Sequence, residues 1–143
     1  PPRSTPLYSS AASDVYKRQV LKADGGTRTA SITGGYVALA LAIQHLIKRG
    51  DLPESPLIRQ IAAVSAGYVA GQALLDLDYS EDSSADLDCN LVQGNDGSII
   101  EVQCTAEARP ISRAELDALL DLASNGIQLL INAQLQALLP NPG

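Results

Sequence analysis

The sequence predicts an α+β fold, sandwich-like, in which long helices pack on a sheet. Three observations predict it. Two stretches carry apolar residues at helical spacing: one holds Val37, Leu41, Ile43, Leu46 and Ile47, the other Leu116, Leu119, Ala123, Ile127 and Ile131. Between them lie short runs of strand character, Ile61 to Gly67 and Leu74 to Tyr79. Asn95-Asp96-Gly97 then separates Leu91-Val92-Gln93 from Ile99-Ile100-Glu101-Val102-Gln103, and an Asp-Gly pair supplies the positive φ angles of a tight hairpin.

Taken in order, residues 1–19 carry Pro, Ser and Arg without a period and read as an unstructured leader. Val20 and Leu21 read as a strand leading into the turn Asp24-Gly25-Gly26-Thr27-Arg28 and a helix start. That helix should stop near Arg49-Gly50, with Gly50 as its cap, and Pro53 and Pro56 enforce a loop. The runs 61–67 and 74–79 are expected to pair. After Pro110, Ser112 and Glu115 form the Ser-x-x-Glu capping box of a long final helix.

A chain of 143 residues suits one domain, and with 45% apolar residues but no Phe, Trp or Met its core must be Leu, Ile, Val and Ala. The missing Met also implies that the chain does not begin at its own initiator. No unbroken apolar run approaches the roughly 18 to 20 residues that span a bilayer, so a soluble, cytoplasmic protein without a membrane partner is expected. Cys89 and Cys104 fit neither a disulfide framework nor a CxxC metal site, and two reduced, partly buried thiols are the expectation.

The net charge of −6 argues, taken alone, against a nucleic-acid partner. Its distribution says more. No basic residue lies between Arg59 and Arg109, whereas Asp76, Asp78, Glu81, Asp82, Asp86 and Asp88 crowd together. Asp82 and Asp88 are candidates to hold one hard cation such as Mg²⁺, against a plain solvated acidic loop. A calcium loop of EF-hand type fails, because Glu81 stands where Gly is needed and Leu87 where the bidentate Glu belongs. Gly25-Gly26-Thr27-Arg28-Thr29-Ala30-Ser31 offers N–H groups at a helix N-terminus, hydroxyls and a guanidinium, which is what an oxyanion needs. A glycine turn with a surface Arg accounts for the same residues. His45 has no second His or Cys nearby and reads as a packing or surface residue.

Four motifs taken together, 23–34 around the glycine turn, Ala62 to Gly67, Asp76 to Ser83 and Ile100 to Gln103, resemble the C-terminal half of the bacterial ribonuclease PH family in order and spacing. The resemblance runs from Val20 to about Leu139. It implies domain boundaries of 1–19 for a non-homologous leader and 20–143 for the family's C-terminal half, with a ribosomal-S5-like β-α fold that is incomplete in this chain. It implies a phosphorolytic 3′→5′ exoribonuclease acting on tRNA 3′ ends, in which inorganic phosphate attacks the terminal linkage and releases a nucleoside diphosphate. Gly26, Thr27 and Arg28 would hold the phosphate, with the hydroxyls of Thr29 and Ser31 assisting. Asp82 and Asp88 would hold Mg²⁺ and help protonate the leaving oxygen. RNA, inorganic phosphate and a homo-oligomeric hexameric ring are the implied partners. The alternatives are a non-catalytic subunit or inactive fragment of the same fold, and a small anion- or metal-binding module unrelated to RNA.

Departures from the family are confined to a few places. Residues around Tyr8 to Gln19 look like translated adaptor sequence joined to an open reading frame. Cys104 stands where the family usually has Gly, so a positive φ there would introduce strain of about 1 kcal/mol. Ala108-Arg109 replaces a Gly-Glu pair. With half of the family chain absent, exposed sheet edges and apolar helix faces are expected to favour aggregation.

Overall fold

The structure, a computed structural model, describes residues 20–139, so the leader 1–19 lies outside the described residues. The elements run α1 (Thr27–Arg49), β1 (Ile61–Val69), β2 (Gln72–Leu75), α2 (Tyr79–Asp82), β3 (Leu87–Gly94), β4 (Ile99–Ala106) and α3 (Arg113–Leu138). The strands form one antiparallel sheet in the order β2-β1-β3-β4. The α+β expectation is met.

Strand alternation sorts the sheet into two unlike faces. Ala62, Val64, Ala66 and Tyr68 of β1 and Leu87, Cys89 and Leu91 of β3 pack under α3, which presents Leu119, Ala123, Ile127 and Ile131 at every fourth position. Register places Asp88 and Asn90 of β3 with Glu101, Gln103 and Thr105 of β4 on the opposite face. The face under α3 is core, while the opposite face is polar along β3 and β4 and buries Ala63, Ser65 and Val92.

Helix α1 covers the part of β1 that β2 does not reach, since β2 pairs only with Ala66 to Val69. The Thr33 hydroxyl caps this bare edge, accepting from Ala63 N–H at 2.9 Å and donating to Ala63 C=O at 3.0 Å. Buried Gln134 of α3 donates to the carbonyls of Thr33 and Ile61 and accepts from Gln60, at 2.9, 3.0 and 2.8 Å. These bonds join both helices to the sheet.

The helix ends follow the sequence. Gly50 caps α1 at φ 82°, and Ser112 and Glu115 form the reciprocal box at the start of α3. The expected strand at Val20 and Leu21 is absent, because no strand lies alongside and Leu21 is 93% exposed. The run 74–79 ends its pairing at Leu75: Asp76 turns the chain at φ 59°, and Asp78 caps α2 in a box with Glu81. In the hairpin only Gly97 takes positive φ, closing a turn in which Gly97 N–H donates to Gly94 C=O and Gly94 N–H to Ser98 C=O.

Two further expectations are corrected. Cys89 and Cys104 are not separate thiols but a disulfide, directly opposed in the β3–β4 register with Cα atoms 4.0 Å apart. Cys104 lies within β4, and the positive-φ residues other than glycine among those described are Ala70 and Asp76, so no turn is strained there. By length and composition alone α1, with mean hydropathy 1.4, is apolar enough to cross a membrane. Its Thr, Ser and Gly residues interrupt the apolar runs, Thr33 bonds it to β1 and α3, and Ala40 and Ile43 are buried.

Candidate active site

The glycine turn is built by its own backbone demands. Gly26 is the N-cap of α1 at φ 67°, a conformation that a side chain disfavours, and no side chain caps the helix. The first-turn N–H groups thus have no side-chain cap and carry the partial positive charge that attracts an anion. The hydroxyls do not aim outward. Thr27 Oγ1 donates to Asp24 C=O at 2.6 Å, Thr29 Oγ1 to Gly26 C=O at 2.8 Å, and Ser31 Oγ to Thr27 C=O at 2.7 Å. These bonds hold the turn's shape and leave the backbone N–H groups and Arg28 as the main candidate donors to an anion.

Arg28 is not free. Its Nη2 donates to both carboxylate oxygens of Glu101 on β4, at 2.7 and 2.8 Å, with both side chains half exposed. Glu101 fixes the direction of the guanidinium across the polar face while leaving Nε and Nη1 for another acceptor. An open cleft of about 400 Å³ beside the turn is lined by Lys22, Asp24, Gly25, Thr27 and Ser31. Sequence reasoning missed both Glu101 as the partner of Arg28 and Lys22 as a second cation.

The acidic residues form a second cluster. Asp82 closes α2 and Asp88 stands second in β3. Partial burial raises the Asp88 carboxyl above its ordinary range, the charge of Asp82 raises it further, Glu107 adds a little, and the Cys89 N–H opposes them. Asp82 and Asp88 are therefore close enough to repel. Among the described residues no three His, Cys, Asp or Glu gather as metal ligands. A hard divalent cation that keeps most of its water needs only one or two carboxylates, which Asp82 and Asp88 could supply.

The turn and the acidic cluster are physically joined. Asp24 Oδ1 accepts from Gly25 N–H and from Tyr79 N–H at the start of α2, both at 2.8 Å. These bonds, that from Tyr79 first, hold the Asp24 carboxyl below its ordinary range. Gly25 packs so closely on the 77–78 backbone that a Cβ would collide with the Leu77 carbonyl oxygen. Asp24 and Gly25, which lead into Gly26, Thr27 and Arg28, thus sit against the segment that carries Asp82.

Residues 59–126 match the family described as 3′ exoribonuclease family, domain 2. The chain is 58% identical over 118 residues to ribonuclease PH of Synechococcus sp. (strain CC9605), covering 82% of this chain and 48% of that one. It is 56% identical over 119 residues to ribonuclease PH of Synechococcus elongatus, covering 83% and 50%. The chain spans about half the length of these curated relatives. Among solved structures, rice (Oryza sativa) Rrp46 has a similar fold, with a TM-score of 0.58 and 21% identity over 82% of this chain and 52% of the rice chain.

Proposed function

We propose, from the premise that this chain belongs to the 3′ exoribonuclease family and carries its second domain, that it forms the phosphate- and metal-binding half of a phosphorolytic exoribonuclease. The observation that carries the reading is the uncapped N-terminus at Gly26 beside Arg28, with the adjoining Gly25 packed on the Leu77–Asp78 backbone that leads to Asp82. Inorganic phosphate lies on the N–H groups of Gly26, Thr27 and Arg28, with the Arg28 guanidinium offsetting its charge. Its oxygen attacks the terminal phosphorus of RNA. The 3′-oxygen of the shortened strand leaves and takes a proton, and a nucleoside 5′-diphosphate is released.

Phosphoryl transfer needs positioning and neutralisation of charge rather than covalent help from the protein. Asp82 and Asp88 would hold Mg²⁺, whose chemistry when bound is to offset charge on the scissile phosphate. In the same reading the carboxylate pair would also help protonate the leaving oxygen. Removal of extra nucleotides from tRNA 3′ ends, a role in rRNA processing, assembly into a hexameric ring and a cytoplasmic site of action complete the reading. Its support is the similarity to proteins named ribonuclease PH.

The test is Arg28→Ala in the chain restored to the full length of its relatives. Loss of one preorganised charge donor lowers the rate by on the order of 10²-fold. An unmodified rate in limiting phosphate would overturn the placement. A non-catalytic subunit of the same fold is the second reading, favoured by the Arg28–Glu101 pair, which already offsets the guanidinium's charge.

A further inference from the structure

The structure assigns Asp24 a role that neither the sequence nor the similarity to known proteins supplies: it is a positioning residue that locks the anion-binding turn to the metal-binding carboxylates. The inference rests on the proposed reading of the site and adds to it the element that makes the two halves one.

The geometry is specific. One carboxylate oxygen, Asp24 Oδ1, takes two N–H donors, one inside the turn at Gly25 and one 55 residues away at Tyr79. Tyr79 is the first residue of α2, and Asp82 is its last. Within α2 the Asp78–Glu81 box and the bond from Asp82 N–H to Asp78 C=O at 2.8 Å make this short helix one unit. Movement of Tyr79 therefore moves Asp82. On the other side Asp24 C=O accepts from the Thr27 hydroxyl, so the same residue also fixes the turn that begins α1. The missing side chain of Gly25 lets the two segments touch, and the Asp24 carboxylate sets how they are aligned. A single four-residue helix has little packing of its own, with none of its residues buried. Its orientation depends on such ties.

The test uses the chain restored to the full length of its relatives and reads the half-saturating Mg²⁺ concentration in two ways, by titration calorimetry and by phosphate-dependent release of nucleoside diphosphates. Asp24→Ala should raise that concentration by about fivefold or more in both readings and lower the rate at saturating Mg²⁺ by about tenfold, the scale of a misplacement of under 1 Å. Asp24→Asn keeps an oxygen acceptor and should stay within about twofold of the unmodified protein. Tyr79→Pro removes the distant donor together with a side chain that is 70% exposed, at the first helical position where proline is tolerated and after an Asp78 already extended, so it preserves the fold and should shift Mg²⁺ as Asp24→Ala does. A merely structural Asp24 would lower the folded fraction and leave half-saturating Mg²⁺ unchanged, and that result for Asp24→Ala and Tyr79→Pro would overturn the inference. If Arg28→Ala runs at the unmodified rate, the reading of the site itself falls; if Arg28→Ala fails while Tyr79→Pro binds Mg²⁺ normally, only the role of Asp24 falls.

Discussion

Arg28 and Glu101, 73 residues apart in sequence, meet across the polar face of the sheet with Arg28 Nη2 2.7 and 2.8 Å from the two oxygens of Glu101. The pair both aims the guanidinium and competes with any anion for its charge. Glu101→Gln keeps an acceptor and removes the competing charge, so the half-saturating phosphate concentration should fall by about threefold, the scale of one exposed ion pair. Phosphate titration of the restored full-length chain checks this, and a rise would show that Glu101 chiefly orients Arg28.

The Asp82–Asp88 repulsion has a direct spectroscopic signature. Asp88 is raised first by burial and then by Asp82. In Mg²⁺-free buffer, Asp82→Asn should lower the Asp88 titration midpoint seen by carboxyl ¹³C NMR, yet leave it above that of an exposed aspartate, because burial remains. An unchanged midpoint would place the two carboxylates too far apart to share a cation.

Glu115 ties acid stability to the start of α3. Its side-chain bond with Arg109, then the Ser112 N–H, lower its pKa from 4.5 to about 2. A carboxylate depressed on folding contributes stability that is complete above pH 4.5 and is lost as the pH falls toward about 2. The melting temperature should decline through that window, and Glu115→Gln should flatten the decline. An identical pH profile for the variant would contradict the assignment.

Gln134 tests the polar joint between helices and sheet. Gln134→Ala strands buried acceptors on Thr33 and Ile61 and a donor on Gln60, and should destabilise the fold by about 2–4 kcal/mol. Urea denaturation measures this directly. A change under about 0.5 kcal/mol, the scale of an ordinary surface substitution, would mean that water replaces the network freely.

What the sequence made legible was local. Gly50, the Ser112–Glu115 box and the hairpin at Gly97 announce themselves within a few residues of where they act. Val20 and Leu21 look like a strand because their propensity does not reveal that no partner lies beside them. The disulfide was hidden by a bulge. Gln93 faces Ile99 but Val92 faces Glu101, so Ile100 is an extra residue; without it Cys89 would face Gln103 instead of Cys104. At the candidate site, the motifs of the resemblance contain Gly26, Thr27, Arg28 and Asp82, whereas Asp88 lies outside them. The ties that organise them, Arg28 to Glu101 and Asp24 to Tyr79, span 73 and 55 residues and leave no periodic trace.

The most direct test of phosphorolysis at the Gly26–Arg28 turn is the fate of labelled inorganic phosphate. The restored full-length chain is given a tRNA with extra 3′ nucleotides and ³²P-phosphate, and the released nucleotides are separated. Label in the β-phosphate of nucleoside diphosphates, formed in proportion to phosphate and lost with Arg28→Ala, is the predicted result. Unlabelled nucleoside monophosphates, released equally fast without phosphate, would contradict it.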